Sequence, residues 1–343
     1  MEAMSDRKSR SSATGQVTLQ DVARHLGVSA ITVSRALKTP QRVSEALRAR
    51  IMCAVSELGY RPNHAARSLA SARSDSVLVL VPSLTNEVFV DTLSGIHEVL
   101  IPRGYQALIG NTHYSPQEEE KQLGVFLGHN PDGILLTGLD HTPRVREWLA
   151  GCGVPVVYMM EIDDARDSRC VGLSQFDGGQ AITRYLVGKG YRRIAYVAAQ
   201  ADPRTLKRGE GYRAALREAG LYDPKREIWV PTPSSIGLGA SLLDRLLKEL
   251  PDCDAVFCCN DDLAQGMLFQ CQRRNVAVPG QLAICGFNDL AASAWTNPPI
   301  TTIATPRYAI GREAAQMLLD AIDGDTPPCK IDLGFSLVER LSA

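Results

Sequence analysis

The sequence predicts an α/β core of two doubly wound parallel sheets, preceded by a small all-α helix-turn-helix headpiece and a hinge helix. Its 343 residues exceed what one ordinary hydrophobic core accommodates. From Ser76 onward, short apolar and β-branched runs alternate with helix-like segments, a pattern typical of parallel sheets covered on both faces. Residues 17–61 contain short amphipathic helices and turn signals instead.

Composition and charge indicate a soluble protein with a basic N-terminal end. Apolar residues make up 45% and charged residues 22% of the chain, and no stretch approaches the ~20 apolar residues of a membrane helix. Residues 1–16 are polar and predict a disordered tail that is not a secretory signal, so we expect a cytoplasmic protein. Residues 1–73 hold 12 Lys and Arg against 5 Asp and Glu, whereas the rest holds 25 against 33. A basic end of this kind suits phosphate binding, although such tails are often only solvated.

Cysteine and glycine motifs indicate no cofactor, metal or enzyme. The nine cysteines are odd in number and follow no secretory signal, which favours reduced thiols, and no second Cys or His pair at zinc spacing follows Cys258 and Cys259. Gly209–Ala214 and Gly237–Gly239 resemble fragments of a dinucleotide fingerprint, but neither directly follows a strand that opens a βαβ unit. Since nucleophile elbow, zinc-protease helix and P-loop motifs are also missing, we predict a binding protein.

Residues 17–61 predict a helix-turn-helix domain. Thr18 can cap a first helix, Gly27 can end it in the left-handed conformation, and Ser29 can cap the second helix, while a third covers 44–58. The second helix presents small polar groups and one cation outward, a surface that fits a DNA major groove. The outward residues are Ser29, Ala30, Thr32, Ser34 and Arg35. A helical hairpin that binds nothing is the alternative.

Residues 62–75 predict a hinge helix and linker. Asn63 can cap this helix, and the residues that follow are mostly good helix formers. A helix of roughly two turns is too short to be stable alone in water. The hinge therefore needs a partner, such as its twin in a dimer or DNA.

Seven apolar runs predict strands of the core, at 77–81, 105–110, 133–138, 154–159, 193–198, 255–259 and 282–287. Ligands of such sheets bind outside the carboxyl ends of the strands, and polar residues recur there. They are Ser83, Thr85, Asn86, Thr137, Glu161, Asn260, Asp261 and Asn288, with Arg204, Lys207 and Arg208 after the strand 193–198. Any single one could equally cap a loop, but their recurrence favours a ligand site.

Two segments resemble the LacI/GalR family of bacterial repressors, TLQDVARHLGVSAITVSRAL from residue 18 and ELGYRPNHAARSLA from residue 57. The terminal TTIATPRYAIGREAAQMLLDAI and IDLGFSLVERLS extend the resemblance over nearly the whole chain. It implies that the second helix reads operator DNA, while the hinge folds on the operator and wedges a leucine into its minor groove. The DNA-binding residues predicted in this way are Thr18, Ser29, Ala30, Ile31, Thr32, Ser34, Arg35, Asn63, Ala66 and Leu69.

Individual roles in DNA binding follow from the same resemblance. Leu69 is the implied minor-groove wedge, and Ala66 lines the hinge–hinge contact together with Ala65. Ala30 and Ile31 occupy the two positions that vary between operators. Because both are apolar here, contact with thymine methyl groups is more plausible than hydrogen-bond readout.

The resemblance also implies a periplasmic-binding-protein-like core whose two lobes enclose an effector. It places the N-terminal effector-binding subdomain at 76–162 plus 305–324 and the C-terminal one at 163–304 plus 325–343. No leucine-heptad tail follows the last strand, so we expect a two-fold homodimer without the tetramer extension of some relatives.

For the effector, the resemblance implies Val88 and Phe89 as pocket wall, Arg208 as clamp and Asn260 as hydroxyl partner. Asn288 stands where many sugar-binding relatives have Asp, and an amide bonds hydroxyls without repelling an anion. Since arginine can bind a carboxylate through two parallel bonds, the pair suggests an acidic sugar. The full predicted effector set is Ser83, Val88, Phe89, Thr137, Glu161, Arg204, Arg208, Asn260, Asn288 and Thr305.

The segments VPSLTNEVF, RTLKRGEGY and DLGFSLVER resemble the gluconate-operon repressor branch of this family. We therefore predict a dimeric repressor that binds a palindromic DNA operator and leaves it when gluconate binds. 2-Ketogluconate or 6-phosphogluconate as effector, or a ligand that tightens DNA binding, are the alternatives within the family. A solute-binding protein or an enzyme with the same core is the alternative from another class, against which the headpiece argues.

Overall fold

The computed structural model describes residues 17–61, 73–162 and 168–343, and the chain divides into two compact units, Met1–Ser74 and Asp75–Ala343. The first unit contains helices α1 (Leu19–Leu26), α2 (Ala30–Lys38) and α3 (Glu45–Glu57), with a 3-10 turn at Pro40–Arg42. Val22, Val33 and Ile51, one from each helix, are fully buried and form its core. This arrangement confirms the predicted helix-turn-helix.

Local capping explains where the first two helices begin and end. The Thr18 hydroxyl accepts the Asp21 N–H, and the Asp21 carboxylate accepts the Thr18 N–H at 2.9 Å, so each residue satisfies a free donor of the other. Gly27 ends α1 with a φ of 66°, a left-handed conformation that glycine adopts without steric cost. Ser29 then caps α2 by accepting the Thr32 N–H at 3.1 Å.

The second unit contains two six-stranded sheets, one in each of two lobes. The first sheet has the spatial order β11 (Lys330–Asp332), β5 (Cys170–Gly172), β4 (Val156–Met159), β3 (Gly133–Thr137), β1 (Ser76–Val81) and β2 (Gln106–Asn111). The second has the order β12 (Ser336–Val338), β10 (Thr301–Ala304), β9 (Ala283–Asn288), β8 (Ala255–Cys258), β6 (Ile194–Ala199) and β7 (Glu227–Val230). All pairs are parallel except β10 with β12, so the predicted fold class is confirmed.

Helices cover these sheets. The first lobe carries α4 (Glu87–Leu100), α5 (Pro116–Leu127), α6 (Pro143–Gly151) and α11 (Arg307–Asp323). The second carries α7 (Gln175–Gly188), α8 (Pro203–Glu218), α9 (Ile236–Glu249) and α10 (Asp261–Arg274). Short 3-10 turns lie at Ile101–Arg103, Pro224–Arg226 and Ala291–Ala294. Within the described ranges, no helix is both long and apolar enough to cross a membrane.

One glycine of each motif that resembles a dinucleotide fingerprint lies at a helix–helix contact. A Cβ atom on Gly211 of α8 would stand 2.1 Å from the carbonyl oxygen of Phe176 on α7. One on Gly239 of α9 would stand 2.3 Å from the carbonyl oxygen of Leu263 on α10. Since no side chain tolerates such distances, these glycines let the helix backbones approach each other closely.

Two of the predicted subdomain boundaries are wrong. We placed the crossings between lobes near 162 and 325, but β5 and β11 both belong to the first sheet and pair with each other, Cys170 opposite Lys330. The chain therefore leaves the first lobe only after Gly172 and returns to the second only after Asp332. Three residues such as Cys-Val-Gly carry too little apolar pattern to reveal a strand, and their sheet is decided by a partner distant in the chain.

Candidate functional site

The first candidate site is the outer face of α2. Val33 and Ala36 turn inward and are buried, whereas Ile31 is 64% exposed and the side chains of Ser29 and Arg35 also reach the surface. The hydroxyls of Ser29 and Thr32 lie 2.9 Å apart and hydrogen-bond each other. This face offers the cation of Arg35, small hydroxyls and an apolar tip, which are the groups that contact phosphates, base edges and thymine methyls in a major groove.

The other predicted DNA-binding residues fall into two groups. Ala30, Thr32 and Ser34 are half-buried on α2. The Thr18 hydroxyl donates to the Asp21 carboxylate, with 2.6 Å between the two oxygen atoms. Asn63, Ala66 and Leu69, together with most of the predicted hinge 62–75, lie outside the residues that the structure describes.

The second candidate site is a cleft at the carboxyl ends of the parallel strands, where residues of both lobes meet. It encloses about 560 Å3, its open mouth included. The predicted residues that line it are Val88, Phe89, Arg204, Arg208, Asn260, Asn288 and Thr305. Asn86, one of the polar strand-end residues singled out in the sequence, lines it as well. The other lining residues are Tyr114, Met160, Leu173, Gln175, Ala199, Gln200, Asp202 and Thr205. The position agrees with the rule that open α/β sheets bind ligands beyond their strand ends.

Arg208 on α8 is the central cation of this cleft. The residue is only 7% exposed, and its guanidinium carbon lies 3.9 Å from the ring centre of Phe287. Nε donates to the side-chain oxygen of Gln175 at 2.8 Å, and Nη1 donates to the carbonyl oxygen of Cys259 at 2.6 Å. No described residue accepts a hydrogen bond from Nη2, and no described carboxylate forms an ion pair with Arg208. Burial lowers the pKa of this guanidinium, because removal from water penalises its charge.

The two neighbouring cations are neutralised. Arg204 Nη2 lies 3.1 Å from the carboxylate of Asp202, which also caps α8 by accepting the Arg204 N–H. Lys207 Nζ lies 2.7 Å from Glu161, whose side chain is 2% exposed. Of the three cations Arg204, Lys207 and Arg208, only Arg208 forms no ion pair with a described carboxylate.

Asn260 and Asn288 line the cleft in different ways. Asn260 caps α10 by accepting the Leu263 N–H at 3.1 Å, and its amide contacts the Ser234 hydroxyl at 2.8 Å. Asn288 is 6% exposed, and its side-chain amide makes no hydrogen bond to a described residue. Its backbone has a φ of 109°, a conformation that L-residues rarely adopt. Asn288 therefore keeps its full hydrogen-bonding capacity for a ligand, whereas Asn260 has used much of its own.

Three predicted effector residues lie outside the cleft proper. Thr137 and Glu161 line an adjoining cavity of about 770 Å3, whose wall shares Arg204 with the cleft. Thr137 donates its hydroxyl to the buried carbonyl of Leu80 at 3.1 Å. Ser83 lines neither cavity. Its hydroxyl accepts the N–H groups of Thr85 and Asn86, both at 3.2 Å, and so caps the turn before α4. The loop-capping interpretation holds for Ser83.

The sequence analysis missed Tyr114, Gln175 and Asp202. Tyr114 follows β2 with a φ of 57°, faces Phe89 edge-on at 6.5 Å, and has its pKa raised to about 12 by burial. Gln175 donates its amide to the Met160 carbonyl at 2.9 Å and so joins the end of β4 to Arg208. Tyr114 and Asp202 follow predicted strands and could have been found by that signal. Gln175 follows β5, which no apolar run revealed.

Nearly the whole chain is similar to known proteins. Residues 18–63 match the family of bacterial regulatory proteins, lacI family, and residues 183–343 match the periplasmic binding protein-like domain. The chain is 51% identical to the HTH-type transcriptional regulator GntR of Pseudomonas aeruginosa over 330 residues, which cover 96% of each protein.

Two solved structures give the same result. The transcription regulator GntR from Chromobacterium violaceum is 53% identical with a TM-score of 0.76, covering 78% of this chain and 98% of that one. A LacI family transcriptional regulator from Silicibacter pomeroyi is 33% identical with a TM-score of 0.87, covering 95% of this chain and 99% of that one.

Proposed function

Because the chain belongs to the LacI family of bacterial regulatory proteins, we propose that it represses transcription in the cytoplasm as a homodimer on a palindromic operator, and that a sugar acid releases it. Members of this family regulate transcription and are not enzymes, in keeping with the binding surfaces described above. The single observation that carries the choice of a sugar acid is that the buried Arg208 forms no ion pair with a described carboxylate.

An anion is the ligand that this cleft accommodates at least cost. A buried guanidinium without an opposite charge is unfavourable, because it has lost hydration and gained no ion pair. Arg204 and Lys207 do not share this deficit, since Asp202 and Glu161 neutralise them. A ligand carboxylate placed beside Nη2 of Arg208 would form a charge-assisted hydrogen bond with a largely buried guanidinium, and such bonds are stronger than those between neutral groups.

Hydroxyl groups are the second feature that the cleft suits. The unpaired amide of Asn288 offers two donors and an acceptor, and an aldonate presents both hydroxyl donors and acceptors. Phe89 and Val88 supply apolar surface against the C–H faces of such a chain. Among sugar acids, resemblance to gluconate-operon repressors favours gluconate.

Calorimetric titration and operator binding test the proposal together. The full chain is titrated with gluconate, 2-ketogluconate, 6-phosphogluconate and glucose, and its affinity for an operator selected from random DNA is measured by fluorescence anisotropy. We expect gluconate to bind and to weaken operator binding, and glucose to bind poorly for want of a carboxylate. Equal binding of glucose and gluconate would contradict the acidic effector, and tighter operator binding with gluconate would identify a co-repressor instead.

The proposed homodimer is supported by two exposed aromatic residues of the second lobe. Trp295 is 89% exposed and Phe269 of α10 is 37% exposed. Gln265 and Gln272, one turn to either side of Phe269, bond to Ser293 and Asn297 on the loop that carries Trp295. The helix that carries Phe269 is therefore tied to the loop that carries Trp295. Exposed aromatic residues are enriched at interfaces, and we assign this surface to contact with a second copy of the chain.

Sedimentation analysis tests this assignment. Trp295→Ser should shift the full chain from dimer toward monomer at micromolar concentration. Val125→Ser, which removes a 60% exposed apolar residue from α5 of the first lobe, is the matched control and should leave the dimer intact. A dimer unaffected by Trp295→Ser would place the interface elsewhere.

A further inference from the structure

Arg307 lies at the point where the two lobes meet beside the cleft. It is the first residue of α11, which packs on α4 and on strands β3, β4 and β5 of the first lobe. Its side chain is 12% exposed, and its Nε and Nη2 donate to the Asp91 carboxylate on α4 at 3.0 and 2.8 Å. Arg307 is thus anchored firmly in the first lobe.

The same guanidinium also reaches the second lobe. Nη1 donates to the carbonyl oxygen of Asn288, the last residue of β9, and the carbonyl oxygen of Asp289 lies 3.4 Å from both Nη1 and Nη2. One planar group therefore joins α4 and the start of α11 to the end of a second-lobe strand. Bonds that involve a charged donor are stronger than neutral ones, so this link resists separation of the lobes.

The strand end that Arg307 holds is conformationally unusual. Asn288 and Asp289 have φ values of 109° and 53°, which cost free energy for residues other than glycine. The Asn288 side chain lines the cleft, whereas Arg307 does not. A ligand that hydrogen-bonds the Asn288 side chain therefore contacts the same residue whose backbone carbonyl accepts a hydrogen bond from Arg307.

We propose that Arg307 is a positioning residue that couples ligand binding at Asn288 to the relative placement of the two lobes. The inference rests on the proposed function, because it assigns this link to the ligand-dependent change in operator affinity. A ligand shifts such an equilibrium only through contacts that differ between two states. Asn288 provides such contacts, because the ligand bonds its side-chain amide and Arg307 bonds its backbone carbonyl. Loss of the link should leave ligand binding largely intact and reduce its effect on DNA.

Operator affinity with and without saturating gluconate measures this coupling in the full-length chain. For Arg307→Gln and Asp91→Asn, we expect the ratio of the two operator Kd values to fall by about fivefold or more, with the gluconate Kd within about threefold of the parent. Arg307→Lys keeps the charge but not the planar guanidinium, and its ratio of operator Kd values should lie between those of the parent and Arg307→Gln. Arg312→Gln is the control, because it removes a half-exposed guanidinium from the same helix and should change nothing.

A ligand-free measurement separates this inference from the choice of effector. Hydrogen exchange of the full chain should rise in Arg307→Gln both at 87–92 in the first lobe and at 286–290 in the second. Faster exchange in the first lobe only, or an unchanged Kd ratio in a folded variant, would show that Arg307 only stabilises its own lobe. If the parent protein fails to bind gluconate, the effector proposal fails, while hydrogen exchange still decides whether Arg307 holds the lobes together.

Discussion

Arg204, Lys207 and Arg208 lie on one helix, yet their surroundings give them different roles. The first two meet the carboxylates of Asp202 and Glu161. Arg208 meets the ring of Phe287, an amide oxygen and a backbone carbonyl, none of which carries a full negative charge. Partner identity, rather than residue type, therefore determines which of three cations is available to an anionic ligand.

Arg208→Ala should abolish most effector affinity and spare operator binding. Removing one partner of a charge-assisted pair in a desolvated cleft costs on the order of 2–5 kcal/mol, which is roughly thirtyfold or more in Kd. The DNA-binding unit is untouched, so the variant should stay on its operator at gluconate concentrations that release the parent. Calorimetry gives the first quantity and anisotropy the second.

Two further variants make that result interpretable. Arg208→Met fills more of the vacated volume, and so separates loss of charge from loss of packing. Arg184→Ala removes an exposed guanidinium that pairs with Glu218 on the surface, and should leave gluconate binding unchanged. Parental gluconate affinity in Arg208→Met would refute the role of the charge.

Asn288→Asp tests the charge of the ligand from the opposite side. An aspartate tolerates the same backbone conformation about as well as an asparagine, but places a negative charge beside the proposed carboxylate. We expect weaker binding of gluconate and equal or better binding of a neutral polyol such as sorbitol in calorimetric titrations. Parental gluconate affinity in this variant would mean that the effector carries no charge near this residue.

At the scale of single elements, the two faces of α2 have separate roles, since one face packs in the core and the other is exposed. Val33 and Ala36 bury its inner face against α1 and α3, and Ser29 caps its start, so the outer face contributes little to stability. Substitutions there should alter DNA binding without altering the fold. The exposed Ile31 and Arg35 are the largest groups on that face.

Arg35→Ala should weaken operator binding in a folded protein. A good side-chain contact to a base pair contributes about 1–3 kcal/mol of discrimination, so we expect a roughly five- to 150-fold loss on the selected operator. Arg48→Ala, which removes an exposed cation from α3, is the matched control. The measurement is a footprinting titration, with circular dichroism to check the helices. Equal losses for both variants would indicate that α2 contributes only general charge.

At the scale of the whole molecule, one buried carboxyl group joins several parts of the second lobe. Asp261, the first residue of α10, is fully buried and accepts the Leu290 N–H at 2.6 Å and the Thr302 hydroxyl at 2.7 Å. Burial raises its pKa to about 6, although these hydrogen bonds act in the opposite direction. The folded state therefore binds this proton more tightly than the unfolded chain does.

Stability should consequently fall as pH rises from about 4 to about 6. In that window the unfolded carboxyl, with its ordinary pKa of 3.8, is ionised while the folded one still holds its proton. Asp261 then contributes a slope of up to about 1.4 kcal/mol per pH unit. Urea unfolding followed by tryptophan fluorescence measures this, because Trp148, Trp229 and Trp295 all lie in the second unit. Asp261→Asn should flatten the dependence, and an unchanged slope would assign it to other groups.

The sequence by itself determined the features that arise within a few neighbouring residues. Thr18, Gly27 and Ser29 cap helices as predicted, because capping bonds span only three or four positions. The seven apolar runs became β1, β2, β3, β4, β6, β8 and β9. Most of these strands are buried, and a strand buried on both faces needs apolar side chains throughout, whereas β2 lies at a sheet edge and is mostly exposed or half-buried. The cleft position followed from the same strands, and seven residues of the predicted effector set line it together with the strand-end residue Asn86.

The tertiary structure alone decided what depends on partners distant in the chain. It assigned β5 and β11 to the first sheet, where Cys170 pairs with Lys330 although the two residues are far apart in the sequence. Neither strand has a sequence signal of its own. It paired Lys207 with Glu161, a residue 46 positions away in the chain, and it placed no described carboxylate in ion-pair contact with Arg208. It also brought Arg307 to the carbonyl of Asn288. Such pairings depend on distances between remote segments, and the free energy of a buried charge or a close helix contact depends on those distances rather than on the local sequence.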